Sequence, residues 1–356
     1  MGLLKSLFGS KPPKRVRLEP EGATFEINAG ETVLEKALSL GIAFPHECTV
    51  GTCGSCRARL VEGRVDAITD FGYALSREEL EAGYILACQA VAKTDLVIEV
   101  DTAGAAALPV TRIPARLSAT EDLTHDIKRV TFTLDAPLTY RAGQYGVFTW
   151  PGEAEGRAYS FADAPKPEGR TDVSTFVRRV PGGLFSELLF GGGAAALDFT
   201  LEGPHGEFWL RDGKGPIICV AGGSGLAPLL SLLEEAASRT GEAALTRDCL
   251  LLFGARASRD LYAEAQIAAL AARWPARFLF WQALSEETPT DPKVRPGLVT
   301  DFILDAVATV GAAGTQAYLC GPPAMIDAAI SKFTQAGIKP GAIRYDKFTD
   351  RSMGAK

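Results

Sequence analysis

The 356-residue sequence contains no run of 18 uninterrupted apolar residues, so no part of it reads as a membrane-spanning helix. It carries no excess of basic charge: 37 Lys and Arg stand against 43 Asp and Glu, a formal net charge of -6. Phosphate contact needs clustered cations, so a nucleic-acid partner is not expected. Low-complexity tracts are missing, and 47% hydrophobic with 22% charged residues is the composition of globular domains, not of a disordered chain. At roughly 150 residues per domain, the length implies two or three domains. The amino terminus lacks an apolar h-region and a small-residue cleavage site, which argues against secretion and for a cytoplasmic protein. Met1-Gly2-Leu3-Leu4-Lys5-Ser6 fits the myristoylation pattern, but so short a match arises by chance and a frayed leader is the plainer reading.

What the chain does have is seven cysteines, an odd number that fits no exported disulfide framework. Four fall early. Cys48, Cys53 and Cys56 form C-x4-C-x2-C, with Cys88 as a distant fourth, which is the plant-type [2Fe-2S] spacing. One loop must wrap such a cluster closely enough to present three thiolates, and Gly51 and Gly54 supply the backbone freedom. The competing readings are a zinc site or a thioredoxin-like CxxC. Zinc usually takes two short Cys pairs, and no βαβ unit surrounds this motif. Alternation in 15–18 and 24–27 predicts a hairpin, 32–40 a helix ending at Gly41, and 96–100 a last strand.

With Phe44-Pro45-His46-Glu47-Cys48 leading into that loop, residues 15–101 resemble a plant-type ferredoxin domain, which implies a β-grasp fold. Thr49 departs from the family, where a basic residue is frequent. Residues 18–100 hold fourteen acids and six bases, so an acidic face could steer docking to a basic partner, or simply be solvated.

Small residues over 102–110 read as a linker. Within 111–212, strands at 127–134, 144–150, 172–180 and 198–202 suggest an antiparallel barrel. From residue 213 to 356 the pattern turns to strand–helix–strand, a doubly wound parallel α/β sheet. Its strands are expected at 216–221, 249–253, 277–284 and 315–319, with helices at 226–237, 260–273, 298–307 and 323–336.

Arg157-Ala158-Tyr159-Ser160 places a cation, an aromatic face and a hydroxyl together. Gly182-Gly183-Leu184-Phe185-Ser186 opens a helix whose N–H groups suit a pyrophosphate. Taken in order, and followed by Gly203-Pro204-His205-Gly206, these segments resemble the flavin domain of the ferredoxin-NAD(P)+ reductase superfamily. The resemblance implies Arg157 on flavin phosphate, Tyr159 on the isoalloxazine, Ser160 near flavin N5, and Gly183, Leu184, Phe185 and Ser186 at the pyrophosphate. His205, one of three histidines and without a paired carboxylate in sequence, reads as a turn residue. FAD is expected over FMN, with Phe208 or Trp209 available to adenine.

The turn Gly222-Gly223-Ser224-Gly225-Leu226-Ala227-Pro228 is not GxGxxG, yet its glycines still permit close approach of a dinucleotide phosphate. Cys320-Gly321-Pro322 ends a strand at the carboxyl edge, where such sheets bind ligands. Both resemble the nicotinamide domain of the same superfamily, which implies Cys320 beside the hydride-donating carbon and Phe348 covering the flavin. No basic cluster follows the strand at 250–253, so NADH is expected over NADPH. Arg256 could stack on adenine or bind a 2′-phosphate.

A hydride donor and a one-electron cluster need a flavin between them. In this order the three domains resemble the reductase component of bacterial multicomponent oxygenases. That implies a route from NADH through FAD and the [2Fe-2S] centre to a terminal oxygenase, either a Rieske non-haem iron or a di-iron enzyme. The alternatives are an electron donor to a cytochrome P450 and a redox sensor without turnover.

Overall fold

The computed structural model describes residues 12–46, 49–51, 54–102, 108–241 and 244–348, with Ala154 and Glu155 as backbone only. The leader and its myristoylation pattern, residues 103–107, and the expected ligands Cys48 and Cys53 lie outside the described residues. The chain divides into two compact units, Met1–Ala107 and Leu108–Lys356.

In the first unit, Val16, Leu18, Phe25 and Ile27 are buried while Arg15, Arg17, Thr24 and Glu26 face water, the period-2 pattern of a half-buried sheet. β1 (Lys14–Glu19) accordingly pairs antiparallel with β2 (Thr24–Ile27), Val16 opposite Phe25. The next strands are β3 (Arg57–Glu62), β4 (Val65–Ala67), β5 (Tyr84–Leu86), β6 (Ala90–Ala92) and β7 (Leu96–Glu99). The main sheet runs β2-β1-β7-β3-β5, with β1 and β7 parallel, and β4 pairs with β6 separately. α1 (Val33–Ser39) starts at a capping box: Thr32 Oγ1 accepts from Glu35 N, and Glu35 returns a carboxylate oxygen to Thr32 N. It ends before Gly41, whose φ of 73° releases the chain from the helix. Its Val33, Leu34 and Ala37 join the sheet's core. α2 (Arg77–Glu81) has a second capping box, Ser76 with Glu79.

The second unit begins with six antiparallel strands: β8 (Thr111–Asp122), β9 (Ile127–Leu138), β10 (Tyr145–Trp150), β11 (Glu153–Ser160), β12 (Arg170–Arg178) and β13 (Asp198–His205). Their order is β11-β10-β13-β8-β9-β12. A bridge between Phe161 and Thr175 draws the two edge strands together, and Phe132, Phe148, Phe161 and Phe199 fill the interior. α3 (Leu184–Phe190) lies between β12 and β13. β8 escaped the sequence reading because its inward alternation fades after Ala115, leaving a mostly exposed second half.

A parallel sheet follows: β14 (Ile217–Gly222), β15 (Cys249–Ala255), β16 (Phe278–Leu284), β17 (Val294–Pro296), β18 (Gln316–Gly321) and β19 (Ile343–Lys347), ordered β17-β16-β15-β14-β18-β19. The helices are α4 (Leu226–Ser238), α5 (Glu264–Arg273), α6 (Ile303–Val310) and α7 (Pro323–Gln335). α5 begins later than the expected 260 because Asp260 caps a 3-10 turn through Ala257 N and Ala263 takes a left-handed φ of 63°. α6 is likewise preceded by a 3-10 turn, Val299–Phe302.

α4 has no side-chain N-cap, so packing must hold it. Leu226, Leu229, Leu230, Leu232 and Leu233 are all fully buried, and each contributes roughly 2 kcal/mol relative to exposure. Barrel residues Ile127 and Phe176 belong to the same core as Leu226, Phe253 and Tyr262. Ser231 of α4 donates to Asp163 O at 2.5 Å, a further tie between barrel and α/β domain.

Candidate functional site

The ladder between β3 and β5 sets Arg57 opposite Leu86, and Ala87 N donates to Cys56 O at 3.0 Å. Cys56 and Cys88 are thereby buried with their sulfurs 3.2 Å apart. No disulfide joins them, since that bond needs about 2.05 Å. Two buried sulfurs in contact but not bonded to each other are placed as neighbouring ligands of one centre would be, so these two of the four expected donors fit an iron–sulfur cluster. The loop leading to them curls through left-handed residues, Thr49 at φ 57° and Gly51 at φ 85°.

In the flavin-like half, β11 pairs with β10 so that Tyr159 lies opposite Gly146 and Ser160 opposite Tyr145. Tyr159 packs on Phe185 with ring centroids 5.1 Å apart, which links the two segments singled out in sequence. Burial pushes the Tyr159 phenol well above its ordinary range. Arg157 reaches Gly156 O at 2.5 Å and lies 3.4 Å from Glu153 Oε2. Ser186 is buried, and its hydroxyl is spent on the turn: it accepts from Val180 N at 3.0 Å and faces Val180 O and Gly183 O. Phe185 is likewise core, while Leu184 is exposed. A phosphate at this segment would meet backbone N–H groups and not the Ser186 hydroxyl.

The aromatic expected for adenine is engaged elsewhere. Phe208 packs edge-on to Tyr318, and the Trp209 ring is contacted by the guanidiniums of Arg141 and Arg211, 4.7 and 3.9 Å from its centroid. His205 closes β13 opposite Tyr145 instead of sitting in a turn, and burial lowers its pKa.

In the nicotinamide-like half, Gly222 and Gly225 are required by close packing. A Cβ on Gly222 would lie 2.7 Å from Met325 Sδ, and one on Gly225 would overlap the Cys320 carbonyl. Tyr262 Oη donates to Gly223 O at 2.8 Å and braces the turn. Cys320 is fully buried. Burial, with the Asp346 charge adding, pushes its thiol well up.

β19, which the sequence reading missed, sets Asp346 beside Cys320 in register. Ser160 Oγ, from the flavin-like barrel, donates to Asp346 Oδ2 at 3.2 Å, and Phe348 N donates to Gly321 O at 2.9 Å. Ser160, Cys320, Asp346 and the Phe348 backbone therefore converge where the barrel meets the parallel sheet. The Asp346 carboxyl keeps some accessible area but sits deep enough that desolvation, only partly offset by the Ser160 hydrogen bond, pushes it up to about 6. Its signal in sequence was one acid two residues before Phe348, with no pattern to tie it to Ser160.

A cleft of about 560 Å³ is lined by His125, Asp126, Arg178, Pro181, Glu187 and Arg256, among others. It connects the start of α3 with the end of β15. Asp126 accepts from Arg178 at 3.0 Å and Arg256 at 3.2 Å, and Arg256 is 3.6 Å from Asp260. Burial alone would raise the Asp126 pKa, but Arg178 and Thr124 outweigh it and the net shift is downward.

Three family descriptions match the chain: 2Fe-2S iron-sulfur cluster binding domain over 16–93, oxidoreductase FAD-binding domain over 114–209, and oxidoreductase NAD-binding domain over 219–331. The xylene/toluene monooxygenase electron transfer component XylA of Pseudomonas putida is 38% identical over 349 residues, 98% of this chain and 97% of that one. The reductase subunit of an aromatic O-demethylase from Amycolatopsis is 35% identical, covering 93% and 98%. Among solved structures, the Amycolatopsis cytochrome P450 reductase GcoB superposes with a TM-score of 0.68 at 34% identity, covering 95% of this chain and 99% of that one. No helix among the described residues is long and apolar enough to cross a membrane. With a ferredoxin domain, an antiparallel flavin-binding barrel and a parallel nicotinamide sheet in one polypeptide, the chain belongs to the iron–sulfur flavoprotein oxidoreductases that serve as the electron-transfer reductase components of multicomponent mono- and dioxygenases.

Proposed function

We propose that the electron donor is NADH, that the flavin is FAD, and that electrons leave through a [2Fe-2S] centre on Cys48, Cys53, Cys56 and Cys88 to a non-haem terminal oxygenase of the Rieske or di-iron class. Bound flavin supplies the conversion of a two-electron hydride into single electrons. The observation that carries this reading is the 3.2 Å contact of Ser160 with Asp346, because it joins the flavin segment to the strand beside Cys320.

The chain's own residues have distinct tasks in that scheme. Arg157, now beside Glu153, would hold a flavin phosphate, Tyr159 would back the isoalloxazine, and Gly183, Leu184, Phe185 and Ser186 would present the turn to the pyrophosphate. Gly222, Gly223, Ser224, Gly225 and Pro228, with Gly321 and Pro322, form the cradle that brings the nicotinamide in. Cys320 stays a neutral thiol, a small polarizable contact beside the ring and not a nucleophile. Phe348, packed against the core beside Gly321, would cover one face of a bound flavin. Asp346 keeps Ser160 oriented by accepting the hydrogen bond from its hydroxyl.

NADH is favoured because Arg256 is already held by Asp126 and lies beside Asp260. A 2′-phosphate here would find the guanidiniums of Arg178 and Arg256 already engaged by the Asp126 carboxylate. Kinetics with both coenzymes test it, and a preference for NADPH would overturn it. Mass analysis of the released flavin tests FAD in the same way. A cytoplasmic setting is supported by the buried Cys219, Cys249 and Cys320, none of which is in a disulfide. The second reading, delivery to a cytochrome P450, is favoured by the likeness to GcoB. Reconstitution with purified oxygenases of each class decides between them, and slow NADH-dependent cytochrome c reduction would favour a sensor over both.

A further inference from the structure

Gln89 follows Cys88 directly and is only 7% exposed, a setting in which a long amide needs partners on its polar atoms. It has them. Oε1 accepts from Thr69 Oγ1 at 3.1 Å. Nε2 faces Cys88 O at 3.0 Å, Thr49 O at 3.3 Å and Cys88 Sγ at 3.7 Å. Carbonyl oxygens only accept, so the nitrogen must face them and the amide has a single orientation. The Gln89 backbone is pinned as well, since Ile68 N donates to its carbonyl at 2.9 Å. Gly51 closes the arrangement from the loop side: a Cβ there would lie 2.7 Å from Gln89 Cγ and 3.0 Å from Thr69 Oγ1.

We propose that Gln89 is a positioning residue for the iron–sulfur centre. Held by Thr69, it ties the Thr49–Gly51 loop to Cys88 and offers the Cys88 sulfur an N–H shared with the nearer carbonyls, and so sets the centre's reduction potential. The proposal rests on the reading that Cys88 is a cluster ligand. Reduction adds negative charge that the ligand sulfurs share, so a donor aimed at one of them stabilises the reduced form more than the oxidised form. Thr69 acts one bond further out by fixing which way the amide points.

The test uses the full-length holoprotein with Gln89→Leu, which keeps the bulk but removes donor and acceptor, and Thr69→Val, which removes only the hydroxyl. Iron and labile sulfide are quantified, and the midpoint potential is read by EPR-monitored redox titration. For Gln89→Leu the expected result is full cluster content with the reduced-to-oxidised ratio at fixed potential falling about tenfold, equivalent to ~59 mV for a one-electron couple. Thr69→Val is expected to shift the ratio in the same direction by about two- to threefold. Wild-type potentials in loaded variants would overturn the proposal. If Gln89→Leu does not load, Thr69→Val decides alone. Cys88→Ser tests the underlying reading separately: an unaltered cluster spectrum there would remove the ligand assignment, whatever the Gln89 variants do.

Discussion

Replacing Asp346 by Asn removes an ionisable group from the contact between Ser160 and the Cys320 strand while keeping its shape. In the folded protein this carboxyl is raised from 3.8 to about 6, mainly by desolvation. At ~1.4 kcal/mol per unit, its ionisation in place costs about 3 kcal/mol once the pH exceeds both values. A carboxyl raised in this way favours folding fully below about pH 3.8, and the contribution is lost as the pH climbs to about 6. Between pH 5 and pH 7, roughly 1 kcal/mol of that loss develops in the wild type. The neutral amide of the variant feels none of it, so the stability of Asp346→Asn relative to wild type should rise by about that amount over the interval. The readout is clean, because all four tryptophans, Trp150, Trp209, Trp274 and Trp281, lie in the second unit, and their fluorescence follows its urea unfolding alone. The rate of flavin reduction by NADH should also lose its inflection near pH 6. A stability difference that stays constant from pH 5 to pH 7 would refute the reasoning.

Cys88→Ser should lose the cluster spectrum and at least about tenfold in cytochrome c reduction, yet keep NADH-dependent ferricyanide reduction, because the second unit has its own core. Full oxygenase-coupled activity in that variant would take the cluster off the electron path. Cys320→Ala should do the reverse, leaving the cluster spectrum intact while stopped-flow flavin reduction slows by about tenfold. Gly225→Ala forces a methyl against the Cys320 carbonyl. It should cost about 1–3 kcal/mol, seen as a lower melting temperature, and weaken NADH binding, seen as a higher KM.

Elements whose burial has a strict period were legible in the sequence. The hairpin at 15–27, α1 with its Thr32 and Glu35 cap, and the β14–α4–β15 unit all fall close to where residue patterning puts them. Cys56 and Cys88 were legible through spacing alone. What escaped was short, edge-lying or long-range. β17 has three residues and β19 is mostly half-buried, so neither carries a core pattern. Asp346 and Gln89 become visible only when pairing across the fold supplies their partners, 186 residues away for Ser160 and 20 for Thr69. Ser186 shows the opposite case: its type and place suited a phosphate, but the local turn takes its hydroxyl.

The core that runs from Ile127 and Phe176 into Leu226, Phe253 and Tyr262 also bears on how such proteins can be recombined. A cut between barrel and parallel sheet severs a packed interior and strands Ser231 from Asp163. Swapping one lobe for a homologue's would then demand matched side chains on both sides of the seam. The iron–sulfur module lies outside that shared interior: the chain divides at Ala107 and Leu108 into two compact units, each with a core of its own. The hydride-handling pair is thus inherited as one block, and a chimaera that keeps residues 108–356 together keeps that interior whole.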